Sequence, residues 1–178
     1  MKFIALLRGI NVSGKNKVPM AELRAHIAEL GWADVQTYIQ SGNVVFRAKG
    51  AAGVHESDLE ALIARKFGLS IPVIVRRAAD WPAYVGGNPF PVAAEQEPNR
   101  LMLCLSKAKP RLDAAETLRE KARDGESLKL VGDALWIHYA AGAGATKLSP
   151  ALLDRLVGST VTGRNWRTVQ KLQEMLAE

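Results

Sequence analysis

The chain has 178 residues, 48% of them hydrophobic and 24% charged, which excludes a disordered or fibrous protein and leaves room for one large domain or two compact ones. Its 24 Lys and Arg against 18 Asp and Glu give a net charge of +6, an excess that permits a polyanionic partner without requiring one. The single cysteine, Cys104, excludes an intramolecular disulfide and points to a reducing compartment. The apolar run Phe3 to Leu7 is broken by Arg8, too short for a signal segment or a bilayer span, so a cytoplasmic protein with no membrane association is expected.

Phe3-Ile4-Ala5-Leu6-Leu7 is also too short for a helix and reads as a buried strand. A polar loop follows from Asn11 to Lys17. Pro19 then suits a first helical position, and Met20, Leu23, Ile27 and Leu30 recur at helical spacing until Gly31. Val35, Thr37 and Ile39 alternate with polar neighbours, Ser41-Gly42-Asn43 makes a tight turn, and Val44-Val45-Phe46 returns as the second arm of a hairpin. Ser57 and Glu60 have capping-box spacing ahead of Leu59, Leu62, Ile63 and Phe67, Gly68 supplies the stop, and Ile71 to Val75 is another strand. Strand, helix, strand, strand, helix, strand is the split βαβ order of ferredoxin-like domains.

Between Ala78 and Asn99, Trp81-Pro82, Gly86-Gly87, Asn88-Pro89, Pro91 and Pro98 break any long element, leaving a short helix and a linker. The order then repeats. Leu101 to Leu105 is a strand, Pro110 opens a helix carrying Leu112, Ala115, Leu118 and Ala122, and Leu128 to Leu130 and Leu135 to Tyr139 flank Gly132-Asp133 as a hairpin. Ser149-Pro150 starts a helix that Gly158 stops, Val161 begins a fourth strand, and a last helix carries Trp166, Val169, Leu172 and Leu176. The expected fold is α+β: two ferredoxin-like (βαββαβ) subdomains with antiparallel sheets at residues 1–77 and 99–178, joined by a linker at 78–98, the second with a C-terminal helix. Because Phe3 to Leu7 has no polar face, the sheet surface away from the helices should also be covered, by the other half or by a second copy in a homodimer.

Gly9 to Lys15 fits the phosphate-loop template and then departs from it, because Asn16 stands where a Ser or Thr should ligate magnesium and Val18-Pro19 delays the helix. A nucleoside triphosphatase is therefore disfavoured. What survives is a Gly-containing loop with Arg8, Lys15 and Lys17 and no acid before Glu22, whose amides and Asn11 and Asn16 side chains suit a phosphate or carboxylate. A second basic cluster, Thr162 to Thr168 with Arg164 and Asn165, opens the last helix, where unpaired amides favour an anion. In each case the plain alternative is a solvated turn or cap.

Leu6-Leu7-Arg8-Gly9-Ile10-Asn11-Val12, then Gly14 to Met20, then Thr37 to Phe46 with Ser41 and Asn43, and finally Arg164-Asn165-Trp166 with Thr168-Val169 resemble the signature stretches of the bacterial family DUF1697, a domain of unknown function. The resemblance runs over essentially the whole chain. It implies two ferredoxin-like subdomains and carries no substrate, cofactor or catalytic residue. The sequence departs from the family pattern at Ser13, where glycine is usual, and at Gly163 and Arg167, where Thr and Asn are expected.

An RNA-recognition sheet would need aromatics on its first and third strands, and the first offers only Phe3, so base stacking is disfavoured while phosphate-led binding is not. Cys104 and His138 fall on strands expected to be neighbours and could meet on one sheet face, although a buried inert cysteine is the commoner case. No Cys, His and carboxylate spacing suggests a metal, and no cofactor is expected. The leading expectation is a non-catalytic anion-recognising protein that uses Arg8, Asn11, Lys15, Asn16, Lys17, Ser41, Asn43, Arg164 and Asn165, its ligand a nucleic-acid backbone or a phosphorylated metabolite. The alternatives are a small-molecule enzyme with a pocket between the halves and a dimeric interaction protein.

Overall fold

A computed structural model describes all 178 residues, which divide into two compact units, Met1–Trp81 with Met175–Glu178, and Pro82–Glu174. The first unit runs β1 (Lys2–Leu7), α1 (Met20–Ile27), β2 (Ala33–Tyr38), β3 (Asn43–Arg47), α2 (Ala52–Phe67) and β4 (Val73–Arg77). Its strands form one antiparallel sheet in the order β2-β3-β1-β4. Two short helices follow, α3 (Trp81–Gly86) and α4 (Pro91–Gln96), where one was expected. The second unit then runs β5 (Leu101–Ser106), α5 (Ala114–Lys121), β6 (Glu126–Val131), β7 (Ala134–Tyr139), α6 (Pro150–Val157), β8 (Val161–Asn165) and α7 (Trp166–Ala177), the last helix passing into the first unit at Met175, with the sheet order β6-β7-β5-β8. The same βαββαβ connection and the same strand order occur twice, so the ferredoxin-like α+β fold is present in both units.

Strand register decides which residues share a face. β1 pairs with β3 through Phe3↔Phe46 and Ala5↔Val44, and with β4 through Ala5↔Val75 and Leu7↔Val73. Those side chains meet Leu23 and Ile27 of α1 and Leu59, Leu62 and Ile63 of α2 in one core cluster. Ile4, Leu6, Val45 and Ile74 point to the other face and are buried as well, so β1 is covered on both sides, as its unbroken apolar run requires. In the second unit Cys104, Leu135, Ile137 and Tyr139 share the core with Ala115, Leu118 and Val157 of α5 and α6.

His55 lies within the first core, edge-on to Phe3, Trp32 and Phe46 with ring centroids 4.7, 5.4 and 5.5 Å away. Neither ring nitrogen has a hydrogen-bond partner. Burial holds its pKa below the ordinary histidine value, an effect opposed by Asp58 and reinforced by the N-terminal amine.

Two local expectations are corrected. Ser57 and Glu60 do not cap a helix, because α2 begins at Ala52, where Gly50, at φ +106°, has turned the chain. Ser57 therefore lies inside the helix, its hydroxyl donating to the Gly53 carbonyl, while Glu60 and Glu56 accept the N–H groups of Val73 and Val75 at 2.8 and 2.9 Å. Two carboxylates on α2 thus occupy donors of the edge strand β4 that would otherwise invite another strand. Leu112 is also not a helix core residue: α5 starts only after Asp113, and Leu112 is 88% exposed.

Candidate functional site

The loop after β1 is shaped by its asparagines. Asn11 lies in the left-handed region at φ +54°, a conformation its short polar side chain tolerates. Its Oδ1 accepts the Val18 N–H at 2.9 Å, and its Nδ2 donates to the Val18 carbonyl at 3.0 Å and to the Gln40 carbonyl at 2.8 Å. The Asn11 N–H donates to the Asn16 carbonyl, the Lys15 N–H to the Val12 carbonyl, and the Asn16 Nδ2 to the Gly9 carbonyl. Ile10 and Val18, both in the core, anchor the two ends. What remains outside is a tip with Val12, Ser13, Lys15 and Lys17 exposed, and Arg8 half-buried at its base. Neither the Lys15 nor the Lys17 ammonium is held in an ion pair or hydrogen bond.

The turn between β2 and β3 packs against that loop. The Leu7 N–H donates to the Gly42 carbonyl at 2.9 Å, and a Cβ on Gly42, whose φ is +88°, would lie 2.7 Å from Ile10 Cδ1 and 2.8 Å from Leu7 Cβ. Asn43 is fully buried, its Nδ2 donating to the Tyr38 carbonyl at 3.0 Å and the Ser41 hydroxyl at 3.2 Å. Five non-glycine residues have positive φ, namely Asn11, Ser13, Asn16, Asp34 and Ile39. All but Asp34 belong to these two apposed segments, and Ile39, being β-branched, is the costliest of them.

The first loop and the Ser41-Gly42-Asn43 turn therefore converge at one end of the first sheet. Their predicted polar residues divide by role. Asn11, Asn16 and Asn43 spend their side-chain amides on holding the backbone, while Lys15 and Lys17 face solvent.

Arg164 and Asn165 belong to the second unit. Arg164 is buried, and its Nη1 donates to the Thr162 hydroxyl and the Gly163 carbonyl, each at 2.9 Å. Burial lowers its pKa to about 10, which leaves the guanidinium charged at neutral pH. Asn165 Oδ1 accepts the Thr168 N–H at 3.0 Å, the geometry of an N-cap for α7.

Cys104 and His138 do not meet. β5 pairs with β7 through Leu101↔His138 and Cys104↔Leu135, which sends the two side chains to opposite faces of the sheet. Burial also raises the Cys104 thiol to about 12, so it is not a nucleophile near neutral pH. His138 instead bonds Glu97, with Nε2 to Oε2 at 2.8 Å. The sequence does not reveal this pair, because Glu97 lies in the Pro- and Gly-broken segment between the two units' strands, 41 residues from its partner. The only local signal is Pro98 immediately after it, which stops α4 and fixes the position of Glu97. No group of three or more His, Cys, Asp or Glu side chains is arranged to hold a metal ion, and no helix is long and apolar enough to cross a membrane.

Among solved structures, the chain resembles the conserved bacterial protein SP0830 from Streptococcus pneumoniae, with a TM-score of 0.73 and 27% identity over 98% of each chain. No curated protein matches the sequence. The model of one family, described as "Protein of unknown function (DUF1697)", matches residues 1–136, and the stapled basic loop and the Tyr38–Asn43 turn both fall inside that match; the chain belongs to the DUF1697 family.

Proposed function

We propose that this is a non-catalytic binding protein that recognises a phosphate-bearing anion, a nucleic-acid backbone or a phosphorylated metabolite, through Arg8, Lys15 and Lys17. The observation that carries the reading is the pinned loop: it holds Lys15 and Lys17 exposed, without an acidic partner, on a backbone that Asn11 and Asn16 immobilise. A phosphate contact of this kind loses little conformational entropy on binding, because the backbone is already ordered. The strain stored at Ser13 and Ile39 supports the same reading, since such conformations concentrate at ligand clamps. Ser41 lies beside the loop, whereas Asn43, Arg164 and Asn165 act as internal supports.

Fluorescence anisotropy with a labelled single-stranded RNA tests this. Binding should weaken steeply with salt, and the Lys15→Ala/Lys17→Ala double variant should reduce the log–log slope by about 1.5, near the loss of two single-strand phosphate contacts. Competition by inorganic pyrophosphate at low concentration would favour a small phosphorylated ligand over a long backbone. Salt-independent binding, or no binding of either probe, would sink the proposal.

A further inference from the structure

The second unit contains a cavity of about 330 Å3 at the low end of the range for small-molecule sites, lined by Pro89, Phe90, Pro91, Val92, Glu97 and His138 among others. The segment Gly86 to Pro98 builds it. Asn88 Oδ1 accepts the Phe90 N–H at 2.9 Å, Pro91 opens α4, and the Glu97 N–H closes that helix on the Ala93 carbonyl. Phe90 is held over the sheet face opposite α5 and α6, with Lys129 Nζ 5.4 Å from its ring centroid and the His138 ring at 6.4 Å.

The walls are mostly apolar and the chemistry is concentrated at one end. There both carboxylate oxygens of Glu97 are engaged, Oε2 by His138 Nε2 at 2.8 Å and Oε1 by Arg100 Nη1 at 3.1 Å. A carboxylate only accepts, so Nε2 carries a proton, and it is the Nε2–H tautomer of the imidazole, with its lone pair on Nδ1, that this bond selects. That nitrogen makes no hydrogen bond and is not sealed from solvent. Glu97 sets a carboxylate at the His138 end of the cavity, which opposes a phosphate of the kind proposed for the first loop, while the Lys129 ammonium lies over the Phe90 ring.

We infer that this cavity is a second ligand site, which takes a small uncharged molecule with a flat apolar body and one hydroxyl or N–H donor, the body packing on Phe90, Pro91 and Val92 and the donor bonding His138 Nδ1. Glu97 is a positioning residue, since it fixes the tautomer that makes Nδ1 an acceptor. The site stands apart from the loop reading and survives its failure.

An NMR titration of the full chain with p-cresol, compared with toluene, tests the inference. p-Cresol should saturate shifts at Val92, Ala93 and His138 and bind about three- to tenfold more tightly than toluene, the span of one net hydrogen bond. His138→Phe, which keeps an aromatic ring and removes the acceptor, should bring the two affinities together. Glu97→Gln, which no longer enforces the tautomer, should lose part of the preference for p-cresol over toluene. Absence of saturable shifts at these residues with p-cresol would overturn the proposal. So would equal affinity for the two probes in the unaltered protein, a comparison that needs no variant to fold, or a preference retained in His138→Phe.

Discussion

The Asn11 side chain reaches the Gln40 carbonyl, Nδ2 to oxygen at 2.8 Å, and so joins two segments 29 residues apart in sequence. The same amide brackets Val18 by taking its N–H and giving to its carbonyl, as a neighbouring strand would. One residue thus closes the loop on itself and ties it to the β2–β3 turn.

Asn11→Ala removes the side-chain bonds to Val18 and Gln40 and leaves partly buried backbone groups unsatisfied, so it should destabilise the protein by about 2 kcal/mol. At this chain length that is a fall of about 4–8 °C in Tm. Asn11→Asp keeps the acceptor for the Val18 N–H but sets a carboxylate against two carbonyl oxygens, and thermal unfolding should place it no higher than the alanine variant.

Gly42→Ala meets two costs at once. Its φ of +88° is strained for any residue with a Cβ, and that Cβ would sit inside contact distance of Ile10 and Leu7. The combined destabilisation should be about 3 kcal/mol, read as a lower urea midpoint.

Ile39 gives the opposite prediction. It holds a β-branched side chain at φ +47° and is 48% exposed, so little burial offsets the strain. Ile39→Asn, which tolerates this conformation, should raise stability by about 1 kcal/mol in the same urea titration. A lower midpoint would show that the side chain contributes packing that its exposure conceals.

His55 makes the fold sensitive to acid. Burial among Phe3, Trp32 and Phe46 lowers its folded pKa, so below the ordinary histidine value of about 6.5 the unfolded chain binds a proton that the folded chain resists. Stability from this residue is present above that value and lost as pH falls from it toward the lowered folded pKa. His55→Phe should flatten the decline in unfolding free energy between about pH 7 and pH 5, and an unchanged slope would remove His55 as its cause.

Cys104 should be chemically silent in the folded state. With its thiol raised to about 12 by burial, it should react negligibly with a disulfide reagent at pH 8 until urea unfolds the chain. Rapid labelling of the folded protein would contradict the packing of β5 against α5 and α6.

Much of the architecture was legible in the residues because periodicity is local. Phe3 to Leu7, the α1 stripe of Met20, Leu23 and Ile27, and Gly68 and Gly158 as stops all act within a few residues, and each has its expected place. One failure was also local in origin. Ser57 and Glu60 matched a capping spacing, yet α2 had already begun, and the two side chains found partners in Gly53 and Val73. The basic loop was recognisable as a unit, but the division between asparagines that hold it and lysines that it displays was not.

Composition and hydrophobic period by themselves determined two βαββαβ units and a basic loop after the first strand, because those features depend on neighbours in the chain. Only the tertiary structure decided that Cys104 and His138 lie on opposite faces, that Asn11 holds Gln40, and that Glu97 meets His138 beside Phe90. The physical reason is that a face is assigned by strand register, where a shift of one residue reverses every side chain, and a partner by hydrogen bonds that span 29 and 41 residues.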